Sequence, residues 1–461
     1  MILDSDVVVI GAGLSGLVTA FALARAGLRV QVIEAAPRTG GVISTVRRDG
    51  MLYERGPNSA LDTHPRISEL LDQLGIAAER VEASTVASRR YVLRDGTPAA
   101  LPTSPTAFFS TRLFSAAAKL RLLREPFIAP APATADESVT QFVTRRLGHE
   151  ILDYAIEPFV AGVYAGNPDE LSVTAAFPKL YALEQRYGSL IKGQIKGARE
   201  RARRDERAKN VAGSFSFRDG MQTLTDALTR ALPTVLVDTM VTRLERTQRG
   251  GFRVEASGSE AVQIASRAVV LAVPAPVAAD LLRDHVPDAA NALGGVLYAP
   301  VASVASLYAR SAVAHALDGF GFLVPRVEQR RILGSLFSSS MFEGRAPEGK
   351  VLLTTFLGGR RQPEIALQSA DDISRIVDGE LTDLLGAGRP IDTAVTRWTA
   401  AIPQYTLGHL DRVRRIERAE GGLRGFFLCA SYRGGVSVGD RIKSAYETAE
   451  RILHHVHAPV H

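Results

Sequence analysis

The hydrophobic pattern near the start of the chain predicts a strand, a helix and a second strand in close succession. Residues 7–10 form a continuous apolar run, which is typical of a strand buried within a parallel sheet. A helical periodicity follows up to Arg25 and ends at Gly27, and Val30–Ile33 forms a second short apolar run. We therefore expect a strand–turn–helix–strand unit of the βαβ type at this end of the chain.

Further along the chain, the same kind of pattern predicts more elements of both types. Residues 61–74 and 138–159 have helical periods, and residues 268–273 form another buried apolar run. From residue 298 onwards, apolar and polar residues alternate in a way that predicts antiparallel strands. Residues 106–127 combine an apolar face with four basic side chains, which fits a membrane-interface helix and equally a helical pair packed on its own domain.

The turn after the first strand carries a glycine pattern that indicates dinucleotide binding. Gly11 allows a tight turn, Gly13 leaves room for a diphosphate, and Gly16 lets the helix pack closely on the sheet. Glu34 ends the second strand, where a carboxylate can accept hydrogen bonds from ribose hydroxyls. The helix N-terminus adds free N–H groups for the phosphates. A glycine-rich turn in an ordinary α/β protein is the alternative.

Composition narrows the class of protein. A chain of 461 residues is long enough for two or three domains, and its single cysteine, Cys429, excludes internal disulfides. No apolar run reaches the length of a membrane span, and we expect no signal peptide because the first strand begins near residue 6. The net charge of +6 favours an anionic substrate or lipid surface. Since aromatic residues do not interleave with the basic ones, no nucleic-acid partner is expected.

Four further motifs carry a resemblance to a known family. They are Arg38 with the pair Gly40 and Gly41, the sequence GVYAG at 162–166, DGFGFLVP at 318–325, and IPQYTLGH at 402–409. On these motifs the chain resembles the porphyrinogen oxidases of the flavin amine oxidase superfamily, in particular the oxygen-dependent protoporphyrinogen IX oxidases of the bacterial flavoprotein type. The resemblance covers almost the whole chain and implies FAD, held noncovalently, as the cofactor.

The cofactor residues come partly from the glycine pattern and partly from the resemblance. The glycine turn and the acidic end of the second strand contribute Gly11, Ala12, Gly13, Leu14, Ser15, Gly16 and Glu34, with the neighbouring Ala35. The resemblance adds Arg38, Gly40, Gly41, Val42, Gly56, Pro57, Asn58, Ser59, Val241, Trp398, Gly435, Val436 and Ser437. On chemistry alone, Arg38 could equally be a solvated surface residue. This family often has cysteine where this chain has Arg441.

The resemblance also implies the substrate residues. Arg90 would pair with a propionate of a tetrapyrrole, Phe320 would stack on the macrocycle, and Leu323 and Gly166 would contact its edge. The backbone carbonyl near Gly321 is the candidate proton acceptor. Without the resemblance, Arg90 is an exposed strand arginine and the apolar pair belongs to an ordinary sheet core. No metal site is expected.

The fold implied is α/β together with α+β. A discontinuous Rossmann-like FAD-binding domain, an antiparallel-sheet substrate domain and a helical insertion are expected. The boundaries predicted for the FAD-binding domain are 1–80, 211–280 and 405–461. Those of the substrate domain are 81–104 and 281–404, and the helical, membrane-associated insertion takes 105–210.

The implied activity is oxidation of protoporphyrinogen IX to protoporphyrin IX in haem biosynthesis, with molecular oxygen as acceptor and hydrogen peroxide released. Coproporphyrinogen III oxidation on the same fold stays an alternative. Two more distant alternatives are another flavin-dependent oxidase, for an amine or a carotenoid, and a non-catalytic flavin-stabilised porphyrin-binding protein. We expect a cytoplasmic protein that contacts the inner face of the cell membrane peripherally, and the oligomeric state, with a homodimer among the alternatives, stays open.

Overall fold

The computed structural model describes residues 2–132, 135–204, 213–248 and 250–457. The strands are numbered in chain order. They are β1 Ile2–Ile10, β2 Val30–Ile33, β3 Thr45–Arg48, β4 Met51–Glu54, β5 Ala60–Leu61, β6 Arg80–Glu82, β7 Tyr91–Arg94, β8 Thr97–Ala100, β9 Ser214–Phe217, β10 Val235–Leu236, β11 Met240–Arg246, β12 Phe252–Ser257, β13 Ala261–Leu271, β14 Tyr298–Ala309, β15 Gly321–Leu323, β16 Ile332–Leu336, β17 Lys350–Gly358, β18 Asp392–Pro403 and β19 Phe426–Leu428.

The α-helices are numbered in the same way, and short 3₁₀ turns connect several of them. They are α1 Leu14–Arg25, α2 Pro65–Gln73, α3 Pro105–Ser110, α4 Ala116–Leu123, α5 Val139–Arg146, α6 His149–Ile151, α7 Glu157–Tyr164, α8 Val173–Ala176, α9 Pro178–Tyr187, α10 Leu190–Arg204, α11 Gln222–Arg230, α12 Ala275–Leu282, α13 Pro287–Gly294, α14 Ser338–Met341, α15 Pro363–Ala366, α16 Ala370–Leu385, α17 His409–Gly422 and α18 Val438–His457.

The first large sheet has the order β10-β2-β1-β13-β12-β11, and β19 pairs with the end of β13. β10, β2, β1, β13 and β19 are parallel, whereas β12 and β11 form an antiparallel extension. Both faces of β1 are covered, since Val7 and Val9 pack with α1 and α18 while Val8 and Ile10 pack with α12 and α13. The fully apolar run predicted a strand buried on both faces, and this prediction is confirmed.

The second large sheet has the order β18-β14-β17-β16-β15-β7-β8. All of its pairs are antiparallel except that of β15 with β7. Its strands come from two distant parts of the chain, β7 and β8 before the helical segment and β14 to β18 after it. α16 packs on one face through apolar residues such as Ile373, Val377 and Leu381. This confirms the mixed fold class, whereas the predicted domain boundaries stay predictions.

Helices α3 to α10 lie between β8 and β9. The single helical period expected over residues 138–159 is interrupted, because α5 ends before Gly148, whose φ is +96°. A capping box of Ser138 and Gln141 begins α5, and a π-helical turn over Leu152–Ile156 continues directly into α7, with Pro158 as its second residue. None of the helices in the described residues combines the length and the apolar character that a membrane crossing requires.

Candidate functional site

The glycine turn between β1 and α1 is built for close approach. Gly11 has φ +103°, and a Cβ there would lie 2.7 Å from the carbonyl oxygen of Ala272. A Cβ on Gly16 would lie only 1.9 Å from the oxygen of Gly11. These two glycines are therefore required by the fold itself.

Gly13 differs from its neighbours, because the fold does not require it. It is the N-cap of α1 with an ordinary φ of −72°, and a Cβ there would meet nothing within 4 Å. The open space lies beside the first N–H groups of α1, which have no intrahelical acceptors. Open space and free donors at a helix N-terminus fit a diphosphate, so these residues fit the dinucleotide that the sequence predicts.

Glu34 stands directly beside this turn. Its Oε2 accepts a hydrogen bond of 2.7 Å from the Ala12 N–H, and its Oε1 accepts one of 2.8 Å from the Ala36 N–H. The carboxylate is thus fixed at the carboxyl end of β2, at the edge of the open space. The neighbouring Ala35 is exposed, and Thr239, two residues before Val241, donates its N–H to the Glu34 carbonyl. The segment of Val241 therefore lies next to the acidic residue.

The loop that follows folds back onto the glycine turn. A Cβ on Gly41 would lie 3.2 Å from the Cα of Gly13, and the N–H of Gly40 donates to Ala12. Arg38 donates to three carbonyls of its own loop, those of Thr39, Gly41 and Ile43. Burial lowers the pKa of this guanidinium. Arg38 is therefore half-buried and holds the shape of its own loop.

Residues 56–59 are held from two sides. A Cβ on Gly56 would lie 2.0 Å from the oxygen of Val42, and the indole Nε1 of Trp398 donates to Arg55, one residue earlier, at 2.7 Å. Residues 57–59 are half-buried. The predicted residues of this turn and of the neighbouring strand β18 are thus brought together, namely Val42, Gly56, Pro57, Asn58, Ser59 and Trp398.

The glycine turn before α18 is organised by Tyr405. Its hydroxyl donates to the Ser431 carbonyl at 2.6 Å and accepts from the Gly435 N–H at 3.1 Å. Ser437 caps α18 by accepting from the Asp440 N–H, and Val436 packs with the cluster around Tyr405. Tyr405 was absent from the predicted site residues, although the motif 402–409 that contains it was recognised.

On the second large sheet, Arg90 and Phe320 lie together. The guanidinium carbon of Arg90 is 5.1 Å from the centre of the Phe320 ring, and Arg90 is exposed. Among the described residues, no carboxylate pairs with Arg90, whereas its neighbour Arg89 forms an ion pair with Asp318. The two adjacent arginines therefore differ, and only Arg90 is available to an incoming anion.

The other predicted substrate residues lie where α7 meets β15. A Cβ on Gly162 would lie 3.0 Å from Leu323, so this glycine lets the helix approach the strand. Gly321 has φ +142°, and a Cβ there would lie 2.2 Å from the Ser335 carbonyl oxygen. A Cβ on Gly166 would lie 2.8 Å from the side-chain oxygen of Gln404, so this glycine packs closely against Gln404. Gln404 directly precedes Tyr405. This chain of contacts joins the substrate residues to the Gly435 turn.

A buried ion pair lies next to residues 56–59, and the sequence did not indicate it. Glu54 and Arg345 are both 4% exposed, and the Arg345 guanidinium lies 3.5 Å from the Glu54 carboxylate. Glu54 also accepts from Thr45 and from the Met221 N–H, and burial raises its pKa. The pair joins positions 291 residues apart, so no local pattern could indicate it.

His409 stacks on Tyr405, with ring centres 4.3 Å apart, and burial lowers its pKa from 6.5 to about 4. Because the unfolded chain binds a proton near pH 6.5 and the folded one does not, this group's stabilisation is present above pH 6.5 and lost as the pH falls towards 4. We expect up to about 3 kcal/mol of unfolding free energy from it. His409→Phe keeps the stacking on Tyr405 but has no group to protonate. In this variant, the free energy of unfolding measured with denaturant should therefore fall less between pH 6.5 and pH 4. The exposed His454→Phe should retain the wild-type slope, and an unchanged slope in His409→Phe would contradict the prediction.

Comparison with known proteins agrees with this geometry. The family model described as "Flavin containing amine oxidoreductase" matches residues 14–453. The chloroplastic protoporphyrinogen oxidase of Nicotiana tabacum is 37% identical over 472 residues, covering 97% of this chain and 85% of that protein. The coproporphyrinogen III oxidase of Bacillus subtilis (strain 168) is 31% identical and covers 95% of both chains.

A solved structure shows the same architecture. A provisionally named protoporphyrinogen oxidase from Exiguobacterium sp. 255-15 superposes with a TM-score of 0.80 at 25% identity, covering 98% of each chain. The family match extends over nearly the whole sequence, from the glycine turn to the last helix. This chain therefore belongs to the flavin-containing amine oxidoreductases and is a flavin-dependent oxidoreductase.

Proposed function

We propose that this chain oxidises a porphyrinogen, with protoporphyrinogen IX as the preferred substrate, FAD held noncovalently and molecular oxygen as the final acceptor. The observation that carries the assignment to a propionate-bearing ring is the arginine pair just before β7, and the preference for protoporphyrinogen IX is supported by relatives named for that activity. Arg89 pairs with Asp318, whereas Arg90, beside the Phe320 ring, has no carboxylate partner within the described part of the chain. A cation next to an aromatic surface suits a flat, largely apolar ligand that carries a carboxylate.

The chemistry of the substrate fits this arrangement. A porphyrinogen has saturated bridges between pyrroles, and loss of a hydride from such a bridge leaves a cation delocalised over the pyrroles. The flavin, when bound, supplies the two-electron acceptor for this step. Three such rounds convert the ring to the porphyrin, and each releases one hydrogen peroxide from one oxygen molecule.

The protein's part is to orient the ring and to exclude water. In this proposal Arg90 holds a propionate, Phe320 stacks on the macrocycle, and Leu323 and Gly166 bound its edge. The carbonyl near Gly321 is a candidate acceptor for the proton released with each round. β15 holds that carbonyl rigidly, since it pairs with both β16 and β7.

Coproporphyrinogen III is the second candidate, because relatives named for that activity cover nearly the whole chain. The two substrates differ in that coproporphyrinogen carries four propionates. The deciding experiment is a paired rate measurement with both porphyrinogens, followed by porphyrin fluorescence. We expect the higher catalytic efficiency with protoporphyrinogen, and a preference for coproporphyrinogen would overturn the substrate assignment.

We further propose that the protein is cytoplasmic and contacts the membrane surface through residues 106–127. Four large apolar side chains of this segment are exposed, namely Phe109 at 55%, Leu120 at 64%, Leu123 at 56% and Phe127 at 86%. Two of the four basic side chains bond to backbone carbonyls of the protein. Lys119 donates to the carbonyls of Phe109 and Thr111, and Arg121 donates to that of Arg145.

Of the four basic residues, Arg112 and Arg124 are exposed, whereas Lys119 and Arg121 are half-buried. At about 1 kcal/mol for each charge near such a surface, the two exposed arginines supply about 2 kcal/mol, and the exposed apolar side chains add to this attraction. We expect the protein to float with anionic vesicles at low salt, and the double variant Leu123→Gln, Phe127→Gln to float much less. Leu367→Gln removes an equally exposed leucine elsewhere and should not change flotation. A wild-type protein that ignores the vesicles would show that the segment serves only its own domain.

A further inference from the structure

Arg441 brings a positive charge to the place where the N-termini of α1 and α18 meet. It lies in the first turn of α18, and both its Nε and its Nη2 donate to the hydroxyl of Ser15 in the first turn of α1, with 2.7 Å for the Nε bond. The positions are 426 residues apart in sequence. A side chain of the last helix thus reaches the glycine turn of the first.

This charge is poorly compensated by the protein. Among the described residues, no carboxylate lies within ion-pair distance of Arg441, whereas Arg433, in the same loop region, pairs with Glu420 at 2.6 Å. Burial is the main influence on Arg441 and lowers its pKa. The titratable groups that act on its charge are the thiol of Cys429 and the hydroxyls of Tyr405, Tyr432 and Tyr298, and none of these is a carboxylate. A half-buried guanidinium with no carboxylate beside it among the described residues is stabilised by a ligand that supplies an anion.

The surroundings indicate which anion would do so. Gly13, whose Cβ position is open, caps α1, and Ser15 lies in the first turn of the same helix, where the N–H groups have no intrahelical acceptors. Two helix N-termini, each with a positive dipole end, add to the guanidinium charge. A diphosphate is doubly charged and can accept a hydrogen bond from the Arg441 Nη1, which has no acceptor among the described residues and lies beside the Nη2 that donates to Ser15.

We propose that Arg441 binds the diphosphate of the dinucleotide cofactor and acts as its counter-charge in this chain. The inference rests on the flavin assignment and goes beyond it, since Arg441 lies outside the glycine pattern and stands where the family often has cysteine. The role is one of cofactor binding, so Arg441 itself needs no part in the oxidation.

The test compares flavin release from the full-length holoprotein with that from Arg441→Gln. Dilution followed by free-flavin fluorescence gives the FAD dissociation constant, and displacement of FAD by added ADP gives the affinity for a ligand that has the diphosphate but no flavin ring. We expect both affinities to fall about ten- to a hundred-fold in Arg441→Gln, with less dependence on salt. Arg441→Lys should recover part of the loss, because it keeps the charge and loses the planar fork.

A control and two contrary outcomes complete the test. Arg25→Gln removes the same charge at the exposed far end of α1 and should leave both affinities unchanged. Unchanged FAD affinity in Arg441→Gln would overturn the inference. So would weaker FAD binding with unchanged ADP affinity and a shifted flavin reduction potential, which would place the guanidinium against the flavin ring. A wild-type protein that binds no flavin would instead refute the cofactor assignment itself.

Discussion

Gly13→Val should yield a folded protein without flavin. The Cβ position of Gly13 is open and its φ is ordinary, so the fold tolerates a side chain there. A branched side chain would, however, fill the space through which the diphosphate reaches the N–H groups of α1. The measurement is the ratio of flavin to protein after purification, with free FAD counted after denaturation.

A matched control separates this effect from helix stability. Gly379 lies inside α16 with nothing within 4 Å of its Cβ position, so Gly379→Val adds the same side chain far from the turn. It should keep the full flavin content. Normal flavin content in Gly13→Val would refute the position of the diphosphate, and flavin that stays on the denatured wild-type chain would refute noncovalent binding.

Arg90→Ala should lose on the order of ten- to a hundred-fold in catalytic efficiency with the porphyrinogen substrate. Arg90 is the member of the arginine pair that has no carboxylate among the described residues, and its guanidinium lies over Phe320. A charge-assisted hydrogen bond to a propionate is worth about 1.5–3 kcal/mol, and its loss also removes the alignment of the ring. Steady-state kinetics on the purified variant measure the loss.

Neighbouring variants sharpen the result. Arg90→Lys should recover only part of the efficiency, since an ammonium lacks the planar fork. Arg89→Ala breaks an exposed pair with Asp318 and should cost much less, because exposed ion pairs contribute at most about 1 kcal/mol. All three variants should hold normal amounts of flavin. Wild-type kinetics in Arg90→Ala would place this side chain in solvent, and loss of flavin would make it structural.

Local patterns in the sequence were sufficient for the elements that local physics determines. The apolar run of β1, the glycine turn and the acidic end of β2 all follow from residues within about one βαβ unit. The resemblance then supplied distant motifs such as 402–409, although Tyr405 within it was not recognised as the residue that holds the Gly435 turn.

What the sequence did not indicate are contacts across long separations. The pair of Glu54 with Arg345 and the bond of Arg441 to Ser15 depend on how whole sheets and helices pack, which no periodicity reports. The same limit applies to residues 106–127, where the sequence does not indicate which basic side chains bond to the segment's own backbone. Whether Lys119 faces a membrane or donates to carbonyls of its own segment depends on the fold of α3 and α4, not on the composition of the stretch.

The central claim, that this chain oxidises porphyrinogens with its flavin, is tested most directly by adding protoporphyrinogen IX to the purified yellow protein without oxygen. We expect the flavin absorbance to bleach within the time of a turnover and to return when air is admitted, with porphyrin fluorescence appearing in step. A flavin that stays oxidised while the porphyrinogen binds would contradict the account and would identify a binding protein instead.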